Sequence, residues 1–238
     1  MGQNYVIMKK ILLIISLLVA FAIGGNAQNK NVRCGLKLGP SFDWASAGSV
    51  DTKNEGMRMG FNVGLVLDRY FTEHVALSSG VNANFLRMKY QFMDSRMVDG
   101  FLNEVPVLVS RRVNATNIEV PVKVKVRFDV VDSFKAYVEA GGAFAFNVSD
   151  KGKDKYKYEY SPQYEDKSYV DCAKQYRTVQ TSIVFGLGAE YQINRKWSVF
   201  AQITSNNALS NAFNRNMQNN TGNIIRSNFV GIEFGILF

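Results

Sequence analysis

The chain has 238 residues, enough for one large β domain, because all-β barrels and sandwiches often exceed about 200 residues undivided. A composition that is 47% hydrophobic with only 4 prolines excludes a disordered protein. The formal charge of +8 is carried by lysines scattered through predicted loops and strand faces, not stacked on one helical face. That distribution argues against a nucleic-acid partner and for solvated surfaces.

At the amino terminus Met8-Lys9-Lys10 precedes an apolar run, Ile11 to Ile23, then Gly24-Gly25-Asn26-Ala27. A basic start, a short apolar core and a small residue before the cut describe a secretory signal peptide. The run is too short for a spanning helix, which needs about 20 apolar residues. Cleavage is expected after Ala27, giving a leader over residues 1–27 and one domain over 28–238. Asn31-Val32-Arg33 ahead of Cys34 lacks the small and apolar residues of a lipoprotein site. No disulfide is expected between Cys34 and Cys172, which the predicted topology places at opposite ends of the domain.

Eight segments then alternate at a period of two, the signature of strands with unlike faces. The first, Val32 to Phe42, sets Leu36, Leu38 and Phe42 against Gly35, Lys37 and Ser41. The second, Met57 to Asp68, sets Met59, Phe61 and Val63 against Gly60, Asn62 and Gly64. A turn over Arg69 to His74 leads to the third, with Leu77, Val81 and Phe85 against Ser78, Gly80 and Asn82. The fourth, Ile118 to Phe128, is the clearest: Val120, Val122, Val124 and Val126 alternate with Glu119, Pro121, Lys123, Lys125 and Arg127. The fifth opposes Val138, Ala140 and Phe144 to Tyr137, Glu139 and Gly141. The sixth opposes Ile183, Phe185 and Leu187 to Ser182, Gly186, Gly188 and Glu190. The seventh runs from Trp197 through Val199, Ala201 and Ile203. The eighth, Asn228 to Phe238, has Val230, Ile232, Phe234, Ile236 and Phe238 on one face and Phe229, Gly231, Glu233, Gly235 and Leu237 on the other.

Connections alternate short and long, and each apolar row suits a spanning β-strand of about 9–11 residues. A soluble barrel would show the same period, with its apolar row inward. The glycines collected on the second face decide against it, since glycine weakens a strand and suits a crowded interior better than a solvated surface. The expected fold is all-β: an eight-stranded antiparallel up-and-down transmembrane barrel with short periplasmic turns and long extracellular loops. Mean hydropathy of −0.10 agrees, because lipid-facing and lumen-facing residues alternate.

Ile118-Glu119-Val120-Pro121, Tyr137-Val138-Glu139-Ala140-Gly141-Gly142, Gly186-Leu187-Gly188-Ala189-Glu190-Tyr191 and the Ala27-Gln28 context together resemble the PorT-like outer-membrane β-barrel family of Bacteroidota. The resemblance implies an outer-membrane location in a Gram-negative cell. Some relatives take part in type IX secretion. The final strand resembles the closing strand of outer-membrane barrels, which implies a terminal assembly signal at Phe234 and Phe238 read by the barrel-assembly machinery.

An eight-stranded interior is only wide enough for side chains to fill it, so no general pore is expected. Buried charges need partners. A lumen network is expected from Lys37, Arg58, Glu119, Lys123, Lys125, Arg127, Glu139, Glu190 and Glu233, with Glu233 meeting Lys37 across the closing seam and Glu139 reaching Lys123 or Lys125. The third long loop, Lys151 to Gln175, offers Tyr156, Tyr158, Tyr160, Tyr164 and Tyr169 as a candidate surface-binding set, with a hairpin extending the neighbouring strands as the plainer reading. The fourth, Asn206 to Ile225, reads as a hydrated asparagine-rich loop. Val105 to Val109, in the second loop, either extends a strand, covers the mouth or touches a partner. The single His74 has no evident nucleophile beside it, and no metal or cofactor is expected. The function this implies is a structural or surface-interaction barrel, with a type IX-like secretion component or a narrow ion channel as alternatives. Expected partners are outer-membrane lipid and lipopolysaccharide, the assembly machinery, and secretion or surface proteins, around a monomer.

Overall fold

A computed structural model describes residues 31–47, 52–96, 105–158, 161–170, 177–194, 196–212 and 225–238. The expected leader, Cys172 and Tyr160 fall outside the described residues, as do the side chains of Tyr158, Tyr164 and Tyr169. The described strands are β1 (Val32–Ala47), β2 (Thr52–Asn54), β3 (Arg58–Tyr70), β4 (Val75–Arg96), β5 (Val105–Val131), β6 (Phe134–Tyr158), β7 (Ser161–Val170), β8 (Val179–Gln192), β9 (Ser198–Ala208) and β10 (Ile225–Leu237).

Eight of these close a ring in the order β1–β3–β4–β5–β6–β8–β9–β10, every neighbour antiparallel, and β10 returns to β1. The short strands β2 and β7 pair with the outer reaches of β4 and β6. At the seam the Cys34 and Phe238 backbones exchange hydrogen bonds of 3.0 and 2.7 Å, so the sheet has no open edge there. This is the expected eight-stranded antiparallel barrel.

One end carries tight turns. Thr72 Oγ1 accepts from the backbone N–H of His74 and Val75, and Asn194 Oδ1 accepts from those of Lys196 and Trp197. Both are side-chain-capped turns of the kind Thr and Asn make readily.

Facing follows the period of two. Val122 and Val124 are 46% and 52% exposed on the outer wall, whereas Lys123 and Lys125 between and beside them are 5% and 3% exposed in the interior. Leu36, Phe61, Phe85, Phe144, Leu187 and Phe234 also face out.

The other end departs from expectation. The segments expected as the second and third long loops are largely strand: β4 runs on to Arg96, β5 begins at Val105, and β6 reaches Tyr158. There the polarity of the two faces inverts, while the alternation of burial continues. Below Phe85, β4 is apolar outside and polar inside; from Leu86 upward Leu86, Met88 and Tyr90 turn in and Arg87 turns out. These three join Val113, Ala115, Ile225 and Phe229 in a buried apolar cluster.

On β6 the strand irregularity between Asn147 and Ser149 inserts one extra residue opposite Thr116 and Asn117. A bulge shifts the parity of the strand residues beyond it. Inward positions change from Tyr137, Glu139, Ala143 and Ala145 to Asp150, Gly152, Asp154 and Tyr156.

Candidate functional site

The interior of the ring is a continuous polar network. Lys37 on β1 donates to both oxygens of Glu233 on β10 at 3.1 and 2.9 Å, across the seam. Glu233 also accepts from Gln202 Nε2 at 2.5 Å and Thr204 Oγ1 at 3.1 Å, both on β9. Gln202 Oε1 in turn accepts from the Tyr137 hydroxyl at 2.8 Å, and Lys125 Nζ sits 4.1 Å from the centre of the Tyr137 ring. Three buried cation–carboxylate pairs, Lys37 with Glu233, Lys123 with Glu139 and Lys125 with Asp68, are accompanied by a part-buried one, Arg33 with Glu190. Glu119 is held by amides, accepting from Asn82 at 3.1 Å and Asn206 at 2.7 Å.

Glycines make this packing possible. Tyr137 lies directly opposite Gly188 across β6 and β8, and Glu139 opposite Gly186. A Cβ at Gly188 would come 2.5 Å from the Tyr137 ring, and one at Gly186 equally close to Glu139. Each large side chain therefore lies over the bare backbone of its neighbour. A water-sized cavity of about 10 Å³ among these residues is lined by Lys37, Ser78, Asn82, Lys123, Lys125 and Tyr137.

The sequence that folds into this closed eight-stranded ring with an apolar outer wall matches one family model. The model described as outer membrane protein beta-barrel domain covers residues 26–214. The chain belongs to that family. It is an outer-membrane barrel. Solved structures similar to it include the N-terminal β-barrel domain of Pseudomonas aeruginosa OprF, at 12% identity over 89% of this chain and 100% of that one, TM-score 0.39. Neisserial surface protein A, NspA, is similar at 10% identity over 85% and 95%, TM-score 0.41. The outer membrane protease OmpT from Escherichia coli is similar at 11% identity over 88% and 96%, TM-score 0.37. No curated protein matches the sequence.

In an outer-membrane barrel the tight-turn end lies in the periplasm and the extended end outside. The inversion at Phe85 and Leu86 then marks where hydrocarbon gives way to water. Below it the outer wall is apolar; above it the barrel becomes a water-soluble sheet with its own apolar core.

That reading places the remaining residues. Arg127 sits at the periplasmic mouth, half-buried over the Tyr70 ring at 4.4 Å and donating to the Glu73 carbonyl at 2.7 Å. Arg58, the first residue of β3, is half-buried on the inward parity of Gly60 and Asn62, and the ion pairs named above do not include it. Tyr156, expected on a binding loop, is 2% exposed, packed against Val107 and Val109, with its hydroxyl 3.2 Å from Asp154. The bulge turns it inward and sends Lys151 and Lys153 out. Asn206, expected in a hydrated loop, is a strand residue inside the barrel. His74 Nδ1 lies 3.9 Å from Asp129 Oδ2 in exposed periplasmic turns. Phe234 and Phe238 face out near the periplasmic edge, and the Phe238 ring is 5.5 Å from that of Trp197.

Sequence reasoning missed Asp68, Arg33, Gln202, Thr204 and Tyr137 as network members. All five occupy inward-parity positions, so counting every polar residue of that parity finds them; counting formal charges of the clearest strands does not. Above the membrane, Glu55 accepts from Lys89 at 3.0 Å, from Gln91 at 2.6 Å and from Ser110. Burial pushes its carboxyl up, but the Ser110, Lys89 and Gln91 contacts outweigh that and hold it below its ordinary value. This contact ties the β2 segment to the extracellular sheet.

Proposed function

We propose that this outer-membrane barrel is a non-catalytic surface-interaction protein, made as a precursor and cut after Ala27, that offers the rim of its extracellular β4–β5–β6 sheet to another protein of the cell surface. One observation carries the reading: the inward charges are engaged with one another, while three strands continue past the membrane as a packed sheet. A barrel whose inward charges hold one another leaves its outer surfaces for interaction. Membership in the PorT-like group, and a place in a type IX-like secretion assembly, is the narrower form of the same idea.

A photo-crosslinking residue at Met93, an exposed position high on β4, tests the reading in living cells. A discrete protein adduct is expected from Met93 and none from Phe185 on the membrane wall. Absence of a protein adduct at Met93, and likewise at the exposed Pro106 across the same hairpin, overturns it. Loss of secreted proteins from a deletion strain would select the secretion form.

A further inference from the structure

The first outward row above the inversion is strongly basic. Arg87 on β4, Asn114 on β5 and Lys151 on β6 lie in register, and one step higher Lys89, Arg112 and Lys153 do the same. Arg87, Arg112, Lys151 and Lys153 are exposed on the outer face. Like charges placed directly opposite on neighbouring strands destabilise a sheet. Lys89 is neutralised by Glu55. Among the described residues no ion pair joins Arg58, Arg87 or Arg112 to a carboxylate. Arg87 and Arg112 stand diagonally across the β4–β5 pair, one register step apart on the same outer face.

Height supplies the second half of the argument. Phe85 stands two residues below Arg87 on β4 and faces the same way, with Phe61 beside it in register on β3. Two residues of strand rise only about 7 Å. The cations therefore sit at the edge of the hydrocarbon, where the outer leaflet carries its headgroups, directly above an apolar face fit for acyl chains. A free anion would use the charges alone; an amphiphile with a phosphorylated head uses both.

We propose that Arg87 and Arg112, flanked by Lys151, form a docking site for the phosphorylated headgroup of an outer-leaflet glycolipid of the lipid A class. Two or more guanidinium groups converging on one phosphate give charge-assisted, bidentate contacts. The site is independent of any protein bound at the rim, so the two readings fail separately.

The test uses the full mature chain refolded in neutral detergent, with thermal unfolding followed by gel mobility. Bis-phosphorylated lipid A is expected to raise the unfolding temperature in a saturable way, and the same lipid stripped of its phosphates is not. Arg87→Gln/Arg112→Gln should weaken the apparent affinity roughly thirtyfold, whereas Lys196→Gln in a periplasmic turn should leave it unchanged. Equal shifts from phosphorylated and stripped lipid overturn the site, and that comparison needs only the wild-type protein. An equal shift from inorganic phosphate would show a free-anion site and overturn the lipid assignment. Unchanged affinity in the folded double variant would place the lipid elsewhere and overturn it as well.

Discussion

Lys37 and Glu233 show what a lumen residue must satisfy. Each is almost wholly buried, and Glu233 accepts from three different side chains within 3.1 Å as well as standing in the ion pair's reach of Asn62. Removing one partner strands a charge away from water, whereas removing both leaves an apolar hole of similar shape. Lys37→Met is therefore expected to lower unfolding stability by about 3–5 kcal/mol, and Lys37→Met/Glu233→Met to recover a large part of it. Urea titration of the refolded barrel in lipid vesicles would measure both. Additive losses would mean that the pair is not coupled. Gly188 makes a steric counterpart. Gly188→Val drives a side chain into the Tyr137 ring, with an expected cost of about 1–3 kcal/mol, and Tyr137→Ala in the same chain should relieve it. Strict additivity of those two changes would show that the ring does not occupy the space above Gly188.

At the scale of the strand, facing was legible and length was not. Along β5 valines alternate with Lys123 and Lys125, so a period of two separates the faces, and the glycines of the second face say which one meets hydrocarbon. On β4 the same reading stops at Phe85, because Phe85 and Leu86 are adjacent apolar residues and break the pattern. The break is physical. A strand leaving the membrane keeps its pleat but exchanges solvents, so apolar residues move from the outer face to the inner one. Tyr156 was misplaced for a related reason: its facing depends on the β6 bulge, and the extra residue is visible only once β5 and β6 are paired. The bulge itself makes a prediction. Deleting Val148 removes the extra residue and should turn Lys151, Lys153 and Lys155 toward the apolar interior of the extension, with Asp154 and Tyr156 turned out. The Arg111–Asp154 pair, which now has Nη2 2.6 Å from Oδ2, would be lost. Limited trypsin digestion should then cut the extracellular part of β6 while the membrane portion stays folded by its heat-dependent gel shift. Wild-type resistance to trypsin in the deletion variant would show that the strand re-forms its register another way.

For the molecule as a whole, the ring was legible because eight amphipathic segments and alternating connections admit few closures, and the family match over residues 26–214 agrees with it. Whether the ring conducts depends on side chains that no periodicity locates. An ion crossing the membrane along the axis must first pass the apolar cluster of Met88, Tyr90, Val113 and Phe229. It then meets buried polar groups engaged with one another: Glu119 with Asn82 and Asn206, and the lysines with Glu139, Asp68 and Glu233. Separating one such pair to admit an ion costs several kcal/mol, by the same desolvation that makes breaking it destabilising. The cavity of about 10 Å³ beside Lys37 and Tyr137 holds roughly one water. The purified barrel in a planar bilayer is therefore expected to show no steady conductance above the bare membrane at either polarity. Glu119→Ala/Asn206→Ala removes side chains from the polar layer yet leaves the apolar cluster above it, so it should stay closed too. Stable, ohmic steps from the wild-type protein would mean that the apolar cluster and the paired charges below it part in the membrane, and the barrel would then have to be read as a channel.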